Sequence, residues 1–459
     1  MLRGFSVTNF KSFNSRQVFS LAAGKIRNHS SHVISIGDRK ILKSGLIYGA
    51  NASGKSNLIQ AMHFSQGIIL QGLDRVNLSN KYFRISEDAY QKPGVFEYDI
   101  MVNNKEYLYG FAVSYSHSEI VSEWLIRVEK SGKEFTIFDR NLDDDHNSTI
   151  ETSIKKNAHN GNIRLESYFE DFKSNVTSAL RKKTMLNDIA SRSNAKTGAL
   201  HEIVSVFHWF TLMIVLFPDS KYTLTNELAS DDSRKDFFQT ILSDLDTGIE
   251  TISEQQRAMD FDKVLSQMPH ELAEDIKAQL SNEASSHPVT FKINDQIIML
   301  RKDDKGNLVY HNRMLNHGNQ NDPFEYADES DGTKRLFDLI PLLYSNDESH
   351  VIVIDEIDRS LHTNLTRKFI ELFYQYTKDN NSQLIATTHD SNLMDLDFVR
   401  QDEIWFVERQ EDHSSCIYSL NKFKQRFDKV LRNDYLIGRY GAIPMFKKHL
   451  TNKDIKDAE

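Results

Sequence analysis

The chain has 459 residues, 39% hydrophobic and 26% charged, with a net charge of -9; this length calls for two to three domains or one large two-lobed domain, in a soluble globular protein. The acidic total gives no support to a nucleic-acid-binding role, although a local basic patch is compatible with it. A single cysteine, Cys416, excludes an intramolecular disulfide and a thiolate zinc cluster and suits a reducing cytoplasm.

Residues 2–9 and 17–21 alternate as strands do, with Phe10, Lys11, Ser12 and Phe13 in the turn between them. No signal peptide opens the sequence. Residues 41–48 read as a further strand, and a helix is predicted from Lys55 to about Gly67. Strands follow at 95–102, 106–115, 120–129 and 134–139, separated by Asn103-Asn104, by residues 116–118 and by Ser131-Gly132, which predicts an antiparallel meander.

From about residue 164 to 283 the period becomes helical, with stretches at 166–185, 201–216, 234–245 and 271–282. The most apolar run, 203–217, is too short to span a bilayer, carries His208 and stops at Pro218, so it predicts a buried helix. The charge runs at 181–183 and 231–236 read as solvated helix faces, and no sustained heptad marks a long coiled coil. Strands return at 289–293, 296–300 and 308–312. Then helix 333–344, strand 350–354, helix 359–376, strand 383–387, a short helix at 391–395 and strand 403–408 alternate. Such alternation predicts a mainly parallel sheet with helices on its faces and a ligand site at the carboxyl ends of its strands.

Between the strand at 41–48 and its helix, Gly49, Gly54, Lys55 and Ser56 match G-x-x-x-x-G-K-[ST]. Backbone N–H groups converging on a triphosphate need small residues at this spacing. The lysine then reaches the outer phosphates, and the serine hydroxyl suits Mg²⁺. The apolar strand at 350–354 ends in Asp355-Glu356. A carboxylate pair at a strand end is common surface chemistry, but downstream of a phosphate loop it points to a metal ligand, Asp355, and a residue that polarises water, Glu356. Ser330 and Asp331 precede a helix as ordinary capping types, and the same helix end suits a phosphate. His389, in Thr387-Thr388-His389-Asp390, follows a strand expected to neighbour that of Asp355, which suits a sensor of the terminal phosphate. The acidic groups at 143–145 and at Asp395 with Asp397 read as loop solvation or capping.

The order GANASGKSN, ESDGT, VIVIDEID, TTHD resembles the ATP-binding-cassette ATPases of the RecF, SMC and Rad-fifty type, over about the first 140 and last 175 residues. There these segments are the Walker A, signature, Walker B with D-loop, and switch-histidine motifs. Asn51 and Asn57 match the G-x-N-x-x-G-K-S-N variant, with Ala52 in place of a frequent glycine, and Ser53 lies in the same loop. Ser330 and Gly332 match the signature's S-x-G core, Asp331 departs from the transporter form, Asp358 falls at the D-loop position, and Lys11 falls at a basic position on the adenine side. MLRGFSVTNFKSF, ESDGTKRLFDL, DEIWFVE and YLIGRYGAIP bring the chain nearer to bacterial OLD-like ATPases without a fused nuclease, the group that includes RloA and the AriA subunit of the PARIS antiphage system.

The resemblance implies an α/β fold with an ABC-ATPase-like P-loop core, a mainly parallel sheet, an antiparallel β meander and a helical insertion. It implies an N-terminal lobe at 1–163, an oligomerisation or partner-binding insertion at 164–286 and a C-terminal lobe at 287–459. ATP and Mg²⁺ are the implied cofactors, with hydrolysis carried by Lys55, Glu356 and His389 and the metal held by Ser56 and Asp355. The implied partners are a second copy completing an ATP sandwich, higher-order assemblies of such dimers, a separately encoded, nuclease-like effector and a phage protein as trigger, all in the cytoplasm without a membrane. About 50 residues follow the strand at 403–408, fewer than an ordinary domain, so no nuclease is expected here. A RecF-like repair ATPase is the alternative, and a transporter cassette a weaker one. The segment 435–444 has no role derivable from sequence, and Arg439 reads as structural rather than as a contact to nucleotide or a partner.

Overall fold

The computed structural model describes residues 1–143, 145, 147–155, 160–174, 178–218, 232–257, 289–293, 296–302, 308–319, 321–344, 349–423 and 431–443. The chain divides into two compact units, Met1–Val215 with Ser349–Glu356 and Asn381–Glu459, and Leu216–Glu348 with Ile357–Asn380.

The first unit begins with strands β1 (Leu2–Thr8), β2 (Gln17–Ser20), β3 (Val33–Ile36), β4 (Arg39–Leu42) and β5 (Ser44–Tyr48) and helix α1 (Lys55–Gln71). Strands β6 (Gly94–Val102), β7 (Lys105–Ser114), β8 (Glu119–Val128), β9 (Glu134–Leu142) and β10 (Ser148–Glu151) come next. Helices α2 (Asn160–Ser174), α3 (Ser178–Arg181), α4 (Met185–Arg192) and α5 (Gly198–Thr211) then lead to β11 (Met213–Leu216). The second unit holds α6 (Asp232–Asp244), β12 (Thr251–Arg257), β13 (Val289–Ile293), β14 (Gln296–Lys302), β15 (Leu308–Asn316), β16 (Phe324–Glu325), α7 (Asp331–Leu339) and α8 (Thr363–Tyr376). Strands β17 (Val351–Ile354), β18 (Gln383–Thr387), β19 (Ile404–Arg409) and β20 (Ser415–Ser419), with α9 (Leu431–Leu436), complete the first unit.

The expected meander is a seven-stranded sheet in the order β10-β9-β8-β7-β6-β1-β2. Its β6–β7 turn places Asn103 and Asn104 at φ 49° and 60°, the left-handed pair that a tight hairpin needs and asparagine tolerates. The expected mainly parallel sheet has six strands in the order β11-β17-β18-β5-β19-β20, with β17, β18, β5 and β19 mutually parallel and β20 antiparallel. Every residue of β5, β17 and β18 is buried, which explains why these strands read as continuous rather than alternating apolar runs. Helix α1 packs on the antiparallel sheet through Phe64, whose ring lies 5.5 Å from Phe96, and through Tyr98, whose hydroxyl is 2.7 Å from Ser65 Oγ.

In the second unit β12-β15-β14-β13 form an antiparallel sheet, with β16 paired to β15. Phe237 of α6 packs on Tyr344 and Tyr376 at 5.3 and 5.0 Å, and Phe238 packs on Phe337 at 4.9 Å.

Several boundaries differ from the periodicity reading. The helix expected at 201–216 stops at Thr211, and Met213–Leu216 turns into β11 at the edge of the parallel sheet, where Leu212 O accepts from Val351 N at 3.3 Å. Periodicity cannot separate a buried strand from a buried helix in so apolar a run. The stretch 166–185 is three pieces, and Thr184 begins α4 by accepting from Asn187 N at 3.1 Å. Within the expected helical region, 251–257 is strand β12, while the helix at 271–282 lies outside the described residues. Helices α2 to α5 belong to the first unit and α6 to the second. The strand expected at 41–48 breaks at Lys43, so that its first part pairs with β3 in a hairpin the sequence did not announce. Helix 333–344 begins at Asp331 and tightens at Ile340, where Pro341 cannot donate a backbone hydrogen bond. No helix among the described residues is long and apolar enough to cross a membrane.

Candidate active site

Strand β5 delivers the glycine loop at its carboxyl end. A side chain at Gly49 would lie 2.4 Å from Val407 O of β19, and one at Gly54 would lie 2.2 Å from Ser415 Oγ of β20. Gly54 also takes φ 111°. Both glycines are therefore required by the approach of the loop to its neighbouring strands. Ser415 Oγ donates to Ser53 O at 2.5 Å, and Ser53 N closes the turn onto Ala50 O at 3.2 Å. Lys55, the first residue of α1, is buried, and its Nζ donates to Gly49 O at 2.8 Å and Ala50 O at 3.1 Å, which holds the ammonium inside the curve of the loop. Asn51 and Ala52 form the exposed tip.

Ala52 takes φ 61°, which costs a residue with a Cβ about 1–2 kcal/mol relative to glycine, partly offset by glycine's greater freedom in the unfolded chain. Ala52→Gly is expected to stabilise the chain by about 0.5–1 kcal/mol. The check is thermal unfolding beside the parent chain; a lower Tm for the glycine variant would refute the strain.

Strand β18 lies between β5 and β17 and runs parallel to both, so the loops after Tyr48, Ile354 and Thr387 open at one edge of the sheet. There Ser56 Oγ donates to Asp355 Oδ1 at 3.1 Å, and Thr387 Oγ1 donates to the same oxygen at 2.6 Å. Asp355 is only 3% exposed. Glu356 is half-buried, takes φ 52°, and donates its backbone N–H to Thr387 Oγ1 at 2.8 Å. A serine hydroxyl and a carboxylate on adjacent elements are hard oxygen donors of the kind Mg²⁺ selects, so this pair fits the metal. Thr388 is buried, with its N–H on Ile47 O at 3.0 Å, and it carries exposed His389 past the end of β5. The sequence pattern missed Thr387, Ser12 and Ser415; the only signal was a hydroxyl residue at a strand end or turn.

The turn between β1 and β2 packs against the start of α1. Lys11 (φ 49°) is bonded to Gln60, and Asn57 Nδ2 donates to Ser12 Oγ at 2.8 Å. Burial, reinforced by the nearby charge of Lys81, pulls the Lys11 ammonium below the ordinary lysine range.

The second unit contains the remaining candidates. Ser330 caps α7, its Oγ accepting from Thr333 N at 3.1 Å. A side chain at Gly332 would meet Ser360 O at 2.9 Å, so this glycine permits close approach to the turn in which Asp358 O accepts from Leu361 N at 3.1 Å.

Segment 435–443 has a packing role. Tyr435 and Tyr440 stack on Phe406 of β19 at 5.7 and 5.8 Å, Tyr418 donates to Tyr440 O at 2.6 Å, and Arg439 pairs with Asp434 at 2.6 Å. Pro444 lies outside the described residues. Asp143 and Asp395 cap turns, accepting from Asn147 N at 2.7 Å and Asp397 N at 3.0 Å.

A family model described as AAA domain, putative AbiEii toxin, Type IV TA system matches residues 46–395, a span that runs from the glycine loop past His389. No curated protein matches the chain. Among solved structures, the SMC head domain from Thermotoga maritima is 14% identical, with 91% of this chain and 98% of that one covered at a TM-score of 0.35. SmcHead bound to the C-winged helix domain of ScpA is 15% identical, with 92% and 99% covered at a TM-score of 0.40.

Proposed function

The chain belongs to the family of AAA domains described as putative AbiEii toxin, Type IV TA system, and we propose from this premise that it is a Mg²⁺-dependent ATPase of the ABC type whose hydrolysis switches an assembly. The observation that carries the reading is the convergence of Lys55, Ser56, Asp355 and Glu356 at the carboxyl ends of β5 and β17, on either side of β18. Lys55 and the N–H groups of Asn51 and Gly54 hold the phosphates, with the N-terminal dipole of α1 behind them. Ser56 and Asp355 hold Mg²⁺, which when bound neutralises charge on the phosphate oxygens. Glu356 orients the attacking water, and His389 contacts the terminal phosphate. Asn57 fixes the β1–β2 turn that carries Lys11 toward the nucleotide.

Ser330, Gly332 and Asp358 of a second protomer complete the site, so that ATP joins two copies and hydrolysis releases them. The wider role we assign is a cytoplasmic sensor or scaffold in antiphage defence that controls a separately encoded effector. The toxin and TA wording of the family description supports a paired system of this kind.

The purified chain is expected to release phosphate from ATP only with Mg²⁺, and Lys55→Ala to weaken ATP binding by about 10- to 100-fold, the worth of a charged hydrogen-bonding contact. Unchanged ATP affinity in that variant would remove the phosphate-loop assignment. Co-expression with the neighbouring genes, followed by mass measurement of the purified assembly, tests the scaffold role; a chain that stays monomeric with ATP and brings no partner would overturn it.

A further inference from the structure

The sequence marks Thr387 only as the last residue of a strand leading to His389. In the fold its side chain is fully buried, and one hydroxyl serves two residues of the site, donating to Asp355 Oδ1 at 2.6 Å and accepting from Glu356 N–H at 2.8 Å. Both bonds act where β17 ends and the chain enters the left-handed conformation at Glu356, a backbone state that costs a residue with a Cβ about 1–2 kcal/mol and therefore needs support. Ser56 Oγ donates to the same Asp355 oxygen at 3.1 Å. Two donors on Oδ1 hold the Asp355 carboxylate in one orientation. Strand β18 pairs with both β5 and β17, so the residue that orients Asp355 and Glu356 is set by the strand that leads to His389.

We infer that Thr387 is a positioning residue of the hydrolytic site, its hydroxyl fixing at once the carboxylate of Asp355 and the backbone turn that aims Glu356. The inference rests on the ATPase reading above. Outer partners of a metal ligand are worth about 10- to 100-fold in metal affinity or activity, so the effect is measurable.

The test compares Thr387→Ala, Thr387→Ser and Thr387→Val in the full chain. Alanine and serine both lack the methyl group and differ in the hydroxyl alone. Binding of a fluorescent ATP analogue is titrated with Mg²⁺, and phosphate release is followed separately. Thr387→Ala and Thr387→Val are expected to need about 10-fold more Mg²⁺ for half-maximal tightening of nucleotide binding and to lose about 10- to 100-fold in kcat, with KM changed by less than about threefold. Thr387→Ser is expected to stay within about threefold of the parent on both measures. Equal behaviour of the alanine and serine variants, whether both intact or both impaired, overturns the assignment, because a packing role would not follow the hydroxyl. This pair decides the matter even where the valine variant fails to fold. A parent chain that binds Mg²⁺ and nucleotide without turnover would count against the ATPase reading alone, since the Mg²⁺-dependent binding still reports on Thr387.

Discussion

Replacing Glu356 by glutamine is expected to leave ATP binding within about threefold of the parent and to reduce turnover by about 100- to 10,000-fold, the range associated with losing a group that activates water. The substitution preserves shape and keeps the backbone N–H that bonds to Thr387 Oγ1 at 2.8 Å, so the left-handed turn at φ 52° survives. Only the negative charge is lost. Because release of the ATP-joined pair depends on hydrolysis in our reading, the variant is also expected to accumulate as a larger species with ATP and Mg²⁺. Phosphate release and native mass measured on one preparation check both parts. Undiminished turnover would move the water-orienting role to another residue, and lost turnover without a change in mass would separate hydrolysis from assembly.

Gln383→Leu is expected to destabilise the chain by about 3–5 kcal/mol, with a fall in Tm on the order of 10 °C. Gln383 is fully buried at the start of β18. Its Oε1 accepts from Leu2 N at 2.6 Å, and its Nε2 donates to Leu2 O at 2.8 Å and Leu42 O at 2.9 Å. One amide thus joins β1 of the antiparallel sheet and β4 of the hairpin to the parallel sheet, satisfying three backbone groups that water does not reach. Leucine fills a similar volume, so packing is largely retained and the cost falls on the stranded groups, each worth about 1–3 kcal/mol. Thermal unfolding followed by circular dichroism gives the answer; a shift below about 2 °C would mean that those groups find other partners.

These residues differ in how much of their role is written into the local sequence, for physical reasons. Gly49, Gly54, Lys55 and Ser56 were legible because a phosphate cradle restricts residue type at every position of a short loop. The β6–β7 hairpin was legible for a similar reason, since Asn103-Asn104 is a local device for positive φ. Gln383, Thr387 and Ser415 carry no local signature, as each is defined by a partner far along the chain. The extreme case is Gln383, whose bonds to Leu2 span 381 positions. The apolar run at 203–217 did not form a single helix because a continuous apolar run carries too little period to separate strand from helix, and only the edge position beside β17 decided that Met213–Leu216 would extend.

The sequence by itself determined the α/β alternation, the phosphate loop and the carboxylate pair of Asp355 and Glu356, because those depend on residue type at short spacing. The tertiary structure alone decided which strand lies between β5 and β17, that Thr387 bonds to both carboxylate-bearing residues, that Gly49 and Gly54 are demanded by neighbouring strands, and that Tyr435 and Tyr440 brace Phe406. Those choices rest on strand order and on hydrogen bonds between distant residues, and neither is encoded in any local window of the chain.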